Sequence, residues 1–505
     1  MILTVHDGAG CVGGNKIHLE IDGKGVLFDF GTNFGALNRY YESFVAPRSS
    51  RGLHDYLRMG LVPELDIYRE AYAVSDVDRG RFRSTPLDAL LVSHAHLDHI
   101  GLAGLLREDV PFVCSPMTAA LIKAMNDINR FHLANNCLLC PEDRPDPEDG
   151  RVIARRTKAT KYGTRRYCLT EPGNGPLQEL WAGGARRTSP SYSKLEDMSC
   201  LDLEIRAYPV DHSIYGATAF AVNSEEGWAV YTGDLRLHGR YQESSRSFLE
   251  EARSLSPRVL VVEGTRIERE DDVEVSEEEV KENCKGAAED AKGLIVADFG
   301  PRNIERLDCF LEIAEDLGRT LVVTKKDAYL LDAVDRVDGA DRLRNVLIFD
   351  RIRAEEVGAE EVVSERHGDK LLDPFRVSSA PEEFLLCFSY PDMNDLLDVS
   401  PVGGLYIYSS SEAYTEESVF DFKRLWNWIK YFGMEAVGFS LRGEVPVFTK
   451  GYHASGHLSA EDLAKVLDTI GAESVVPVHT GSPERFNDIA DNVIVPERGV
   501  GIRLR

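Results

Sequence analysis

The sequence has no long hydrophobic run and carries little positive charge. Its 505 residues include 58 Lys and Arg against 84 Asp and Glu, a formal net charge of -26. No apolar stretch approaches the roughly 20 residues that a membrane-spanning helix needs. Such negative charge opposes unspecific binding to nucleic-acid phosphates, unless a local basic groove or bound divalent cations overcome it. We therefore expect a soluble globular protein.

Cysteine is scarce, and the start of the chain shows no secretion signal. The nine cysteines are an odd number. Residues 1–7 show no basic region followed by an apolar stretch and a cleavage site. We therefore expect reduced thiols or metal ligands rather than a disulfide framework, and a cytoplasmic location.

The length exceeds what one hydrophobic core usually serves, which predicts two domains or one domain with a large insertion. Apolar strands alternate with helical stretches, as in α/β proteins. An acidic run over 268–282, interpreted as a solvated linker or helix face, marks a boundary. We assign 1–267 and 441–505 to one domain, with an irregular insertion rich in Pro and Gly at 126–200. Residues 268–440 form the other, predicted as an open parallel α/β domain.

The densest chemical signal is His94-Ala95-His96-Leu97-Asp98-His99, directly after the apolar run 87–92. Imidazoles and a carboxylate at the end of a buried strand cannot be buried without partners. His94 and His96 share one face of an extended segment, whereas Asp98 and His99 reach around the next turn. The pattern predicts two neighbouring metal ions; the alternative is a polar surface turn.

Five further apolar strands are followed by a residue of a type that can bind metal. Because the same arrangement recurs, one shared site is favoured over isolated core residues. Asp29 either caps a turn or orients a ligand histidine. The five residues are Asp29, His212, Asp234, Glu263 and His479.

The stretch His453-Ala454-Ser455-Gly456-His457 precedes a helix start with a capping box at residues 459–462. Backbone N–H groups at a helix N-terminus favour anions. Two flanking histidines strengthen this prediction of an anion site.

The insertion at 126–200 carries two local features. Cys137 and Cys140 have the spacing of a zinc knuckle, and Cys168 and Cys200 could complete a tetrahedral site. Basic residues without an acid between them form either a phosphate-contacting strip or a solvated edge. These residues are Arg151, Arg155, Arg156, Lys158, Lys161, Arg165 and Arg166.

These motifs together resemble a known family. The HxHxDH motif at 94–99, with His212 and Asp234, resembles the metal-binding series of the metallo-β-lactamase fold. Glu263, His457 and His479 are similar to further motifs of its β-CASP nuclease branch. Within that branch, residues 453–457 and the Pro-Val-His at 477–479 look most like the ribonuclease J family. The resemblance implies an αββα sandwich with an inserted parallel α/β β-CASP domain.

The resemblance also implies a role for each site residue. Two zinc ions are implied, although other divalent cations could take their place. One zinc would be held by His94, His96 and His212, the other by Asp98, His99 and His479, with Asp234 bridging them. Asp29 and Glu263 would hydrogen-bond ligand histidines. The scissile phosphate would be held by His453, Ser455, Gly456 and His457, with Asp98, Glu263 and His457 catalytic and His457 a proton donor.

The implied function is hydrolysis of RNA phosphodiester bonds, with 5′-exonuclease or endonuclease action or both, by a homo-oligomer, expected to be a dimer. Since the chain ends at Arg505, we expect the two domains and the insertion to handle the substrate. A DNA nuclease of the same branch is the first alternative. A small-ester hydrolase would not explain the inserted domain, and a non-catalytic RNA-binding protein would be expected to lose ligands.

Overall fold

The computed structural model describes residues 1–504 except 43–44, 130–131, 135, 158–159, 184–191, 193, 270–273, 357 and 411–415, and only the backbone of 416–420. Lys158 of the basic strip and residues 270–273 of the acidic run therefore lie outside the described residues. Within the described part, no helix is both long and apolar enough to cross a membrane.

The first half of the chain is built from short strands and few helices. The strands are β1 (Ile2–Asp7), β2 (Lys16–Ile21), β3 (Lys24–Phe28), β4 (Ala89–Leu91), β5 (Phe112–Cys114), β6 (Leu139–Pro141), β7 (Tyr162–Thr164), β8 (Tyr167–Leu169), β9 (Leu195–Asp197), β10 (Ile205–Pro209), β11 (Thr218–Ser224), β12 (Gly227–Tyr231) and β13 (Val259–Glu263). The helices are α1 (Phe34–Leu37), α2 (His54–Arg58), α3 (Leu97–Ile100), α4 (Pro116–Ile128), α5 (Gly175–Ala182) and α6 (Gln242–Ser254).

The second half alternates helices and strands more regularly. Its helices are α7 (Glu277–Ala288), α8 (Ile304–Asp316), α9 (Lys325–Asp338), α10 (Ala359–Arg366), α11 (Pro374–Ser379), α12 (Leu396–Val399), α13 (Glu416–Tyr431) and α14 (Ala460–Ile470). Its strands are β14 (Ile295–Asp298), β15 (Thr320–Thr324), β16 (Val346–Phe349), β17 (Leu371–Leu372), β18 (Phe384–Cys387), β19 (Leu405–Tyr408), β20 (Glu435–Val437), β21 (Phe439–Arg442), β22 (Val445–Phe448), β23 (Val475–Val478) and β24 (Gly501–Arg503).

Two sheets pack face to face and form a sandwich. One has the strand order β24-β1-β2-β3-β4-β5-β8-β9, the other β10-β11-β12-β13-β23. Side chains of a strand alternate between its two faces. Val259 and Val261 of β13 therefore join the core between the sheets, while Leu260 packs with α6 and α14 on the outside. On the other outer face, Leu121 of α4 packs in the same core as β4 and β5. The layers are αββα.

A third sheet, with the order β17-β16-β15-β18-β14-β19-β20, is parallel throughout. Apolar clusters cover both of its faces, with α8 and α9 on one side and α13 on the other. Double coverage explains why its strands are nearly continuous apolar runs. We keep the boundaries 1–267, 268–440 and 441–505 as a proposal, noting that residue 441 lies inside β21.

The insertion at 126–200 takes part in both sheet systems. Strands β8 and β9 extend the eight-stranded sheet at its edge. Helix α5 packs against α9 of the third sheet's layer. The Asn174 side chain, at the N-terminus of α5, donates to the carbonyl oxygens of Arg336 (2.8 Å) and Val337 (3.1 Å). The insertion therefore links the sandwich to the parallel sheet.

Candidate metal centre

The ends of strands from both sheets of the sandwich converge on one edge. The eight-stranded sheet contributes β3 and β4, which run into Asp29 and into Ser93 and His94, respectively. The five-stranded sheet contributes β12, β13 and β23. Asp234 follows β12, Glu263 is the last residue of β13, and His479 directly follows β23. Because these neighbouring strands are parallel, their carboxyl ends meet at the same edge.

One group of ligand atoms comes from His94, His96 and His212. The Nε2 atoms of His94 and His212 lie 3.1 and 3.3 Å from Nδ1 of His96. Burial lowers the pKa of His94 and His96 well below the usual range and that of His212 to about 4. All three imidazoles are therefore neutral near pH 7, the form that binds metals.

A second group comes from Asp98, His99 and His479. Oδ2 of Asp98 lies 3.2 Å from Nε2 of His479 and 3.8 Å from Nε2 of His99. Burial opposes ionisation of Asp98, yet His99 and His479 hold its pKa below the usual range. The carboxylate is therefore ionised and able to bind a cation.

Asp234 lies between the two groups. Its Oδ2 is 3.1 Å from Nε2 of His99 and 3.6 Å from Nε2 of His479. The same oxygen is 3.9 Å from Nε2 of both His94 and His212. Although burial opposes it, His479 and His99 hold the pKa of Asp234 well below its usual range. One carboxylate oxygen thus faces both sets of imidazoles.

The residues present fit bound metal. Oδ1 of Asp234 is buried and makes no hydrogen bond within the described part of the chain, and the buried Nε2 of His99 faces Oδ2 of Asp234 at 3.1 Å without good hydrogen-bond geometry. Buried polar atoms normally have such partners, and a cation would satisfy both. Imidazole nitrogens with a few carboxylate oxygens are a donor set that suits zinc.

Asp29 contacts His99, one of the candidate metal ligands. Its Oδ2 lies 2.8 Å from Nδ1 of His99 and accepts hydrogen bonds from the hydroxyls of Ser93 and Tyr231, both at 2.7 Å. Its Oδ1 accepts from the backbone N–H of Ser93 at 2.7 Å. With Nδ1 engaged by Asp29, Nε2 of His99 is left for the centre.

Glu263 contacts one histidine of the site directly and a second one through Thr265. Oγ1 of Thr265 lies 2.8 Å from Nδ1 of His479 and donates to Oε2 of Glu263 at 2.7 Å. Glu263 is in direct contact with another histidine, since its Oε1 lies 3.2 Å from Nδ1 of His457. Although burial opposes it, Glu263 raises the pKa of His457. Glu263 therefore supports His457 directly and His479 through Thr265.

The loop 453–457 is divided between two places. His457 lies beside the metal groups, with Nδ1 3.8 Å from Oδ2 of Asp234. The carbonyl oxygen of Gly456 lies 2.6 Å from Nδ1 of His212, and a Cβ on Gly456 would lie 2.8 Å from Cε1 of that ring, so only glycine fits. Ser455 and His453 line a separate cavity of about 100 Å³ with Arg266, Arg269 and Lys450. The implied phosphate-binding residues are thus not all in one place.

A larger cavity of about 320 Å³ adjoins residues 93–99, the segment that carries His94, His96, Asp98 and His99 and is called the metal loop below. Its walls include Leu97 of α3 and residues at the carboxyl ends of β14, β15 and β18, where open α/β sheets usually bind ligands. Phe299, Arg302 and Lys326 are among them. The Arg302 guanidinium donates to the carbonyl oxygen of Ala95 at 3.4 Å, so a cation of the parallel sheet reaches the metal loop.

Sequence reasoning missed four residues that contact the site: Ser93, Tyr231, Thr265 and Arg302. Ser93 directly precedes His94 and Thr265 lies two residues after Glu263, so polar residues close to the strand-end candidates were a usable signal. Tyr231 is the residue that ends β12, three before Asp234. Arg302 comes from the other sheet system, and no local pattern indicates its approach.

The four-cysteine zinc site is not assembled in the structure. Cys168 packs in the core between the sheets and lies 3.4 Å, Sγ to Sγ, from Cys200. Cys137 packs instead in the cluster on the opposite face of β8, where its carbonyl oxygen accepts from Tyr167. Cys140 lies in β6, which pairs only with β7. Tyr167 and Cys168 are successive residues of β8 and point to opposite faces of the sheet. Cys137 packs on the face of Tyr167, so its thiol is separated from that of Cys168.

The basic strip is largely occupied by internal contacts. Arg151, Arg156 and Arg166 form ion pairs with Asp149, Asp143 and Glu196, respectively. Arg165 is buried and donates to backbone carbonyl oxygens, including that of Leu106 at 2.8 Å. Arg155 and Lys161 are exposed. A continuous phosphate-contacting strip is therefore not present among the described residues of this segment.

Comparison with known proteins places this geometry in context. Residues 69–143 match the family described as Beta-lactamase superfamily domain. The chain is 22% identical over 479 residues to Ribonuclease J of Pyrococcus abyssi, covering 93% of this chain and 87% of the relative. It is also 22% identical over 447 residues to Ribonuclease J of Mycolicibacterium smegmatis, covering 84% of this chain and 65% of the relative, less than two thirds of its length.

A solved structure shares the fold. The crystal structure of a protein of unknown function from Enterococcus faecalis V583 matches with a TM-score of 0.68 at 22% identity, over 99% of both chains. The predicted α/β fold class and the resemblance to the metallo-β-lactamase superfamily and to ribonuclease J are confirmed.

Proposed function

We propose that this chain is a two-zinc hydrolase that cleaves RNA phosphodiester bonds in the manner of a ribonuclease J. The observation that carries the proposal is the position of Asp234 Oδ2, within 3.9 Å of a nitrogen of four histidines from two neighbouring groups. Both curated relatives are named Ribonuclease J, which supports a hydrolytic nuclease. Two bound cations would lower the pKa of a shared water and neutralise charge on the phosphoryl group.

The ligand assignment that we propose follows the two groups. His94, His96 and His212 hold one ion, Asp98, His99 and His479 hold the other, and Asp234 serves both. The surrounding residues fix the imidazoles. Asp29 holds His99, and the carbonyl oxygen of Gly456 holds His212. Such partners determine the ring orientation and the nitrogen left free for metal.

His457 is the residue that we propose as phosphate ligand and proton donor. It lies 3.8 Å from the shared oxygen of Asp234, beside both metal groups. Glu263, buried and in contact with Nδ1, holds the ring in place and favours its protonated form. A histidine that keeps its proton can donate a hydrogen bond to a phosphate oxygen or a proton to the leaving oxygen.

The adjoining cavity favours a polymeric substrate over a small ester. It extends from Leu97 at the metal loop to the carboxyl ends of the parallel strands. Phe299 and Leu307 provide an apolar wall suited to a base. Arg302 and Lys326 provide cations that can contact a phosphate, although Asp327 and Asp392 line the same cavity. A small ester would use only the part next to the metal groups. We propose that the cavity holds the nucleotide next to the scissile bond.

Matched substrates test this function. RNA and DNA of one sequence, each with a 5′-monophosphate, are incubated with zinc-loaded protein, and RNA is expected to be cut faster. Preferential DNA cleavage would contradict the RNA assignment. RNA binding without cleavage would favour a non-catalytic protein, and turnover of small esters alone would favour an ester hydrolase.

The mode of cleavage requires a second set of substrates. A time course on 5′-monophosphorylated, 5′-triphosphorylated and circular RNA separates dependence on the end from internal cleavage. Cleavage of the circle requires endonuclease action, and release of mononucleotides from the 5′ end requires exonuclease action. The homodimer and the cytoplasmic location stay predictions.

A further inference from the structure

Two cysteines face each other at one edge of the eight-stranded sheet, where β8 lies two strands from β4. Cys168 lies in β8, in register with Glu196 of the neighbouring strand β9. Cys200 ends the short turn that follows β9, and the N–H of Ser199 in that turn donates to Asp197 at 2.9 Å. The two Sγ atoms are 3.4 Å apart. A disulfide needs about 2.05 Å, so only a small movement of the turn separates the thiols from bonding distance.

The surroundings of the two thiols differ. Cys200 is exposed, and the Arg166 guanidinium lies 3.4 Å from its Sγ. The guanidinium can donate a hydrogen bond to this sulfur, and an exposed sulfur beside a cation is open to attack on a small disulfide. Cys168 is buried behind it, and burial raises the pKa of its thiol to about 12. The accessible sulfur can attack a small disulfide, and the sulfur behind it is close enough, at 3.4 Å, to resolve the mixed disulfide that forms.

A metal ion is the competing occupant, because Cys168, Glu196 and Cys200 offer three ligand atoms within 4.8 Å of one another. Arg166 argues against it. Its guanidinium donates to Oε2 of Glu196 at 2.6 Å and contacts Cys200 as well. A cation would have to displace Arg166 from Glu196 or bind beside its charge. The arrangement favours thiol chemistry over metal binding.

We propose that Cys168 and Cys200 are a modification site that forms a reversible disulfide with low-molecular-weight disulfides such as oxidised glutathione. The Cys200 thiolate attacks one sulfur of the small disulfide, whose S–S bond breaks and releases one glutathione thiolate. Cys168, after losing its proton to solvent, attacks Sγ of Cys200 and expels the second. The two protein thiols are oxidised, the small disulfide is reduced to two thiols, and both released thiolates take up protons.

The bond would close a loop that reaches the parallel sheet. Helix α5 lies between Cys168 and Cys200 in the chain, and its flanking Asn174 bonds to the end of α9. Glu179 of α5 lies 3.9 Å from Arg336 of α9. A crosslink at the base of the loop restricts the position of α5. Oxidation is therefore expected to slow amide exchange in α5 and in the facing end of α9.

The test uses the full chain in its metal-loaded form. Protein is equilibrated with reduced and oxidised glutathione at several ratios, free thiols are alkylated, and the peptides are mapped by mass. The expected product is a Cys168–Cys200 disulfide, with an intact mass lower by two hydrogen atoms. Cys168→Ala is expected to accumulate glutathione on Cys200, and Cys200→Ser to remain unmodified at Cys168. Cys309→Ser, in a half-buried cysteine of α8, is the matched control and should behave as wild type.

Arg166→Gln separates an activated thiol from mere proximity. We expect it to slow the first exchange step by at least about threefold, because the cation beside the attacking sulfur is gone. The proposal is overturned if no Cys168–Cys200 bond forms even in oxidised glutathione alone, or if Cys168→Ala traps no glutathione on Cys200. It is equally overturned if Zn²⁺ at equimolar concentration protects both thiols from alkylation and from oxidation.

Discussion

Oδ2 of Asp29 lies 2.8 Å from Nδ1 of His99, and both side chains are completely buried. Asp29 adopts a left-handed backbone with φ of 59°, and His479 does so with φ of 52°. Such conformations cost of order 1–3 kcal/mol in residues other than glycine. Few residues other than glycine have a positive φ in the described part of the chain, and two of them lie at the candidate centre. We infer that this backbone geometry serves to aim the polar side chains.

Asp29→Asn tests the orientation of His99. Asparagine tolerates the left-handed backbone, so the fold should persist while the negative charge facing the imidazole is lost. We expect zinc affinity or kcat/KM to fall about 10- to 100-fold. Zinc content by mass spectrometry and RNA cleavage rates measure this. Tyr231→Phe removes one hydrogen bond to the same carboxylate and should have a smaller effect; unchanged zinc affinity and activity in Asp29→Asn would contradict the role.

His479→Ala removes one proposed ligand. We expect turnover to be lost while RNA binding remains, since the substrate-facing charges of Arg302 and Lys326 are unchanged. Bound zinc should fall by one ion per chain. Cleavage assays, gel-shift titrations and metal analysis measure the three properties. Wild-type activity in this variant would refute the placement of His479.

His457→Ala is expected to separate substrate chemistry from metal binding. The ring lies beside Asp234 but is proposed to act on the phosphate. Zinc content should therefore stay at the wild-type value while kcat falls at least about 100-fold, the lower range for loss of an acid–base group. Glu263→Gln, which leaves the ring but removes its charged partner, should show a smaller loss in kcat. Unchanged kinetics in His457→Ala would remove it from the site.

Arg302→Gln tests the cavity as the route of the nucleic acid. We expect KM for RNA to rise and zinc content to stay constant. The slope of the logarithm of the binding constant against the logarithm of the salt concentration should become shallower by about one, because one phosphate contact is lost. The matched control is Arg151→Gln, whose exposed guanidinium is paired with Asp149 outside the cavity. Equal effects of both substitutions would show that the cavity has no special part in binding.

The buried carboxyl group of Asp298, in the parallel sheet, is expected to make the stability of the protein depend on pH. Burial raises the pKa of Asp298 to about 7. The hydrogen bond from Tyr406 lowers this pKa, whereas the negative charge of Asp392 raises it further. Between about pH 4 and 7 the unfolded chain has lost this proton and the folded protein keeps it. The free energy of unfolding should therefore fall with rising pH, by about 1.4 kcal/mol per pH unit from this group. Denaturant unfolding of Asp298→Asn should lack this contribution; identical pH profiles would contradict the burial effect.

Part of the site could be predicted because its ligands follow apolar strands. His94, Asp234 and His479 each lie just beyond a strand whose period and composition are visible in the sequence, and parallel strands bring such ends together. The contact partners of Thr265 and Arg302 could not be predicted, because these contacts arise only when β13 meets β23 and when the parallel sheet meets the metal loop. The cysteines show the same limit. Spacing suggested one site, but the alternating faces of β8 separate Cys168 from Cys137.

The central claim is that two ions at one carboxylate drive phosphodiester cleavage. The most direct measurement is a titration of metal-free protein with zinc while the cleavage rate of a 5′-monophosphorylated RNA is followed. The proposal predicts that the rate rises with added zinc and reaches its maximum at two equivalents per chain. Full activity without zinc or any other divalent ion, or no cleavage at any zinc concentration while the protein stays folded, would contradict it.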